Sequence, residues 1–123
     1  MKIEVSNGEI IDKLTILQIK LERIEDQDKL VNIRKEYEAL KKAAAPVLSE
    51  ADPLYQALYK VNCDLWDIED NIRCFEREKD FGDDFIATAR AVYFMNDRRS
   101  ELKREINIKT SSGIIEEKSY EKY

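Results

Sequence analysis

Ile10, Leu14, Leu17, Leu21 and Ile24 recur in alternating steps of four and three. In a strand, with its period of two, these residues would fall on both faces; in a helix they form one stripe. The same steps return at Leu54, Leu58, Val61, Leu65, Ile68, Ile72 and Phe75, held for three heptads. A third set, Leu30, Ile33, Tyr37, Leu40 and Ala44, runs in a register of its own. Stripes out of phase with one another require separate helices or sharp kinks, so the chain is expected to be all-α. With only 3 Gly and 2 Pro in 123 residues and 38% charged residues, the composition suits long helices with few turns. A chain of this length forms one domain, here spanning 1–123, with a core that needs no staple.

Local signals set the expected boundaries. Lys2–Val5 alternates and reads as a short extended segment. Ser6 and Glu9 have capping-box spacing, placing helix 1 over about 7–24. Asp26 can cap a second helix over 27–48, although no Gly or Pro stands between the two, so one kinked helix is the alternative. Asp52 followed by Pro53 starts helix 3, over 53–80. Gly82 is expected to break it, Asp83 or Asp84 to cap helix 4 over 84–110, and Gly113 to stop that helix. The tail from Ile114 is expected to be loosely held. Short connections make successive helices antiparallel neighbours, giving an antiparallel bundle of three to four long helices with helix 4 beside helix 1.

The chain contains no histidine, which excludes a Ser-His-Asp or Cys-His site within one chain. No catalytic motif, cofactor signature or metal-ligand spacing stands out. Cys63 and Cys74 lie on one helix, about 16 Å apart, beyond bridging distance. Free thiols and the lack of a long apolar run lead to the expectation of a soluble cytoplasmic protein. The net charge of −5 argues against binding nucleic acid or an anionic membrane.

Three constellations remain. On helix 4 the stripe of Phe85, Ala89, Val92 and Ile106 also contains Asn96, Arg99 and Lys103, so it turns polar for about two turns. In the expected arrangement this zone lies level with Glu9, Asp12 and Lys13. Either Glu9 and Asp12 neutralise Arg99 and Lys103 internally, or Lys13, Asn96, Arg98, Arg99 and Lys103 converge on a phosphate or carboxylate. Asp64, Asp67, Glu69 and Asp70 lie close together on helix 3 and read as a solvated acidic face, with Glu69 supporting Arg73. A Mg²⁺ site would need a second acidic pair, for which Glu22 and Glu25 are a loose match. Tyr55, Tyr59, Asn62 and Trp66 repeat on the back of helix 3, and the aromatic three are candidates for a self-association interface or for intrachain packing.

The blocks EVSNGEIIDKLTILQIKLERI and NDRRSELKREIN together resemble an uncharacterised family of short helical proteins of bacteria and their viruses. The resemblance runs from Glu4 to about Tyr120 and implies no reaction. Some members accompany surface-polysaccharide genes, a weak pointer to a sugar context. Within the matching blocks the resemblance singles out Asn7, Glu9, Asp12, Lys13, Lys20, Asn96, Arg98, Arg99 and Lys103. The segment IDKL is also similar to the first helix of helical chorismate mutases, but their wider pattern of Arg, Lys and Glu/Gln positions is not matched. The expected function is that of a non-enzymatic interaction or scaffold protein, a homo-oligomer or the partner of another protein. A module acting on an anionic ligand, a sugar nucleotide included, is the alternative.

Overall fold

In the computed structural model, which describes residues 1–123, the chain forms four helices and no strand. They are α1 (Asn7–Arg23), α2 (Gln27–Ala44), α3 (Pro53–Glu78) and α4 (Asp83–Lys109). Lys2–Val5 pairs with nothing as a strand. α1 and α2 are separate helices: Ile24 is extended, and Asp26 accepts from the backbone N–H groups of Asp28 and Lys29. Asp52 accepts from Leu54 N–H, with Pro53 at the first helical position. Ser6 accepts from Glu9 N–H at 3.2 Å.

Three helix ends and one helix start differ from the expectation. α3 ends at Lys79, which takes the left-handed conformation with φ 55, and not at Gly82. The amides of Lys79 and Asp80 return to the carbonyls of Glu76 and Phe75, closing a Schellman turn. α4 closes in the same way at Ser111, φ 54, with amides 111 and 112 on carbonyls 108 and 107, so Gly113 is not the stop. At its start, Gly82 is the cap and supplies no side chain, while Asp83 and Asp84 occupy the first turn, where the helix dipole favours them. α2 stops four residues short of the expected 48, at Ala44.

α1 packs against all three other helices, α3 packs against α4, and α2 approaches only α1 closely. The core is one cluster at the base, built from Ile11, Leu14, Ala44, Leu48, Tyr55, Leu58, Val61, Leu65, Leu102 and Ile106. α1 and α4 run in opposite directions, since Asn7 meets Thr110 and Asp12 meets Arg99. No residue from Trp66 to Glu101 is fully buried, so the outer halves of α3 and α4 stand clear of the core. After Ser112 the tail turns back along α4, with Glu117 on Arg104 at 2.7 Å and Tyr123 against Tyr93 and Phe94. Ile114 and Ile115 remain exposed. No helix is long and apolar enough to cross a membrane.

Candidate functional site

The polar zone of α4 lies where α1, α3 and α4 meet. Asp12 is 1% exposed, and its carboxylate receives both arms of the Arg99 guanidinium, at 2.9 and 2.5 Å. The Asn62 amide from α3 donates to the same carboxylate at 2.9 Å and to Thr15 Oγ1 at 2.8 Å. Thr15 in turn donates to the Asp12 carbonyl. One turn along, Lys103 donates to Glu9 at 2.7 Å and stands 3.9 Å from Asp12. Two carboxylates thus meet two cations, and no buried side-chain polar atom lacks a partner. The bond to Lys103 holds the Glu9 carboxyl below its usual range, against the opposing effect of burial. The bond to Asp12 raises Arg99 further above its already high value.

The start of α1 completes the cluster. Its first three free amides, on Asn7, Gly8 and Glu9, donate to Ser112 Oγ, Asn107 Oδ1 and Ser6 Oγ. Gly8 is needed for close approach: a Cβ there would stand 2.5 Å from the Lys103 carbonyl oxygen.

Of the five ligand candidates, Arg99 and Lys103 come together on the α1 carboxylates. Lys13 points elsewhere and meets Glu36 of α2 at 3.8 Å, and the exposed Arg98 meets Glu101 at 3.6 Å. Asn96 is half-buried and lines a crevice with Val92, Asp97, Tyr120 and Tyr123. Lys20 is half-buried and makes no ion pair, while Asn7 bonds to Thr110. Asn62, Thr15 and Asn107 also belong to the network. The signal for Asn62 was in the sequence: an amide on an apolar stripe needs buried partners.

The three aromatic candidates separate. Tyr55 is 1% exposed and bonds to Gln18 at 2.7 Å, so it is a core residue with no surface to offer a second chain. Tyr59 packs against the core and donates to Glu22; Trp66 is half-buried. Burial and the Glu22 bond push the two tyrosine hydroxyls upward. In the acidic group, Asp67 meets Arg23, Asp64 meets Lys60 and Glu69 meets Arg73. The two thiols are free.

Beside the network, a cavity of about 310 Å³ opens between α4 and the returning tail. Ser100, Glu101, Lys103, Arg104, Asn107 and residues 116–118 line it, none of them hydrophobic.

Across residues 1–123 the chain matches the profile of a family of unknown function, DUF6165. The chain belongs to DUF6165. No curated protein and no solved structure matches it. Membership of DUF6165, a family of unknown function, assigns no chemistry to the cluster.

Proposed function

We propose that this DUF6165 chain is a non-enzymatic helical interaction or scaffold protein that self-associates, an antiparallel bundle whose outer end is open. The observation that carries this reading is the outer half of the α3–α4 hairpin. It bears Ile68, Ile72, Phe75, Phe85 and Val92 on the facing stripes and Trp66 on the back of α3, yet it contains no fully buried residue. Half-buried apolar side chains at bundle spacing, with no third helix packed over them, support an association surface there. The closed charge balance of the Asp12–Arg99 cluster supports the same reading, because it leaves no unpaired group for acid–base or nucleophilic work. Sedimentation equilibrium on the full chain tests it: a concentration-dependent dimer or larger species is expected. A single monomeric species up to the highest soluble concentration would overturn it.

The cavity beside α4 offers a second reading, a binding module in which an anionic metabolite would meet Lys103, Arg104 and Lys118 by displacing Glu9 and Glu117 from the first two, with Glu101 and Glu116 also in the lining. A melting screen with inorganic phosphate, dicarboxylates and sugar nucleotides separates the two. A ligand at ~100 times its dissociation constant stabilises by roughly 2.7 kcal/mol. A shift for one metabolite that is lost in Lys103→Met favours this module.

A further inference from the structure

The three helices that form the groove differ in length. α1 has 17 residues, against 26 in α3 and 27 in α4. At the helical rise these are about 25, 39 and 40 Å. α1 begins against the last turn of α4 and ends where Arg23 reaches Asp67. For roughly the outer 15 Å the groove between α3 and α4 has no third helix over it. The seams continue through it nonetheless. Ile68, Ile72 and Phe75 face the groove from α3, and Phe85, Ala89 and Val92 continue the α4 stripe; all six are half-buried. Phe75 and Phe85 pack edge to face at 6.4 Å, and Phe81 in the turn packs on Phe85 at 5.3 Å while remaining 49% exposed.

The surface area is consistent with a missing cover. The chain exposes 8445 Å². A compact chain of 14.5 kDa exposes about 6,900 Å². The excess, about 1,500 Å², exceeds the roughly 800 Å² that each partner contributes to a stable interface. α2, the tail and the outer hairpin are the parts of the chain with the most exposed residues, and of these the outer hairpin continues the apolar seams.

Resting on the self-association proposed above, we infer that the outer groove is closed by the same segment of a second copy, two hairpins forming a four-helix core about a two-fold axis. Two helices with one open seam are half of a four-helix bundle, and a two-fold contact needs only one surface, used against itself. No segment of the chain is free to serve instead, because α2 is held on α1 and the tail lies on Tyr93 and Phe94. The rim holds Asp67, Glu69, Asp70, Glu76 and Glu78, which disfavours nucleic acid or an anionic membrane as the occupant. Within the chain Asp67, Glu69 and Glu76 already meet Arg23, Arg73 and Lys79, which leaves Asp70 and Glu78 to pair with Arg77 and Arg90 across a two-fold axis.

The test is sedimentation equilibrium, with circular dichroism as a check on helicity, of the wild type and three variants: Phe85→Glu, Phe81→Glu and Val31→Glu. The wild type should dimerise. Both Phe variants should weaken the dimer at least 100-fold with helicity kept, and Val31→Glu, on exposed α2, should leave it unchanged. If the wild type dimerises and the two Phe variants match it, the groove assignment falls and self-association stands. Dissociation by Val31→Glu would overturn the assignment in favour of α2. A monomeric wild type would remove both proposals. Should Phe85→Glu lose helicity, Phe81→Glu, which lies in the turn outside both helices, decides alone.

Discussion

Arg99 and Asp12 share two hydrogen bonds but differ in their access to water, and that difference predicts unequal costs when either is replaced. The Asp12 side chain is 1% exposed and that of Arg99 is 30%. Arg99→Met leaves a carboxylate sealed in the core with only Asn62 beside it and Lys103 at 3.9 Å, which should cost about 3–5 kcal/mol. Asp12→Asn leaves a guanidinium that can turn toward solvent, and should cost less, about 1–3 kcal/mol. Urea unfolding of both variants at equal protein concentration checks the order. Glu9 adds a pH dependence of known sign. Its folded value lies below the ordinary 4.5, so its contribution is fully present above that pH and is lost as the pH falls through the folded value. Glu9→Gln should therefore flatten the acid limb of a stability-versus-pH curve below about pH 4.5. Lys79 and Ser111 hold left-handed conformations that favour glycine. Lys79→Gly and Ser111→Gly should each raise stability by about 0.5–1 kcal/mol in the same urea assay.

At the scale of the elements, three of the four helix starts were legible in the sequence, the fourth being capped by Gly82 and not by Asp83 or Asp84, while the ends of α2, α3 and α4 were not. Ser6, Asp26 and Asp52 each announce a start because a side-chain oxygen must answer free amides, and only a few residue types can do so. The ends at Lys79 and Ser111 are made by backbone hydrogen bonds in the Schellman turn, which leave no mark on residue type once the chain tolerates a non-glycine there. The pairing of Arg99 and Lys103 with Asp12 and Glu9 was legible only as one of two readings of the stripe, the other being their convergence on an anion. The divergence of Lys13 and Arg98 was not, since both sit beside the stripe, and Lys13 turns to Glu36 of α2 while Arg98 turns to Glu101 of its own helix. Periodicity placed Ile68, Ile72 and Phe75 on the same seam as Leu58 and Leu65, but a period reports a face and not whether a third helix is long enough to cover it. Where α1 crosses α4, Gly8 gives a test with an inverted sign. Gly→Ala within a helix ordinarily stabilises by roughly 1 kcal/mol. Here the new Cβ would meet a carbonyl oxygen at 2.5 Å and Asn107 Oδ1 at 2.9 Å, and the oxygen belongs to helical backbone. Gly8→Ala should instead destabilise by about 1–3 kcal/mol, read as a lower urea midpoint with unchanged slope.

For the molecule as a whole, stability should not be a property of the single chain. If folded chains pair through the outer hairpin, the melting temperature must rise with protein concentration, because association draws on the native state alone. A melting temperature constant over a hundredfold dilution would contradict this. The acidic balance of −5 should keep the pair from growing into larger aggregates near neutral pH. The start of α1 carries a consequence for the order of events. The amides of Asn7 and Gly8 are satisfied by side chains 105 and 99 positions away. The first turn winds on local bonds, Ile10 N–H to Ser6 O among them, but those two amides keep water as their partner until residues 107–112 dock against them. In hydrogen exchange, those two amides would track the opening of residues 107–112 and not of their own neighbours in sequence.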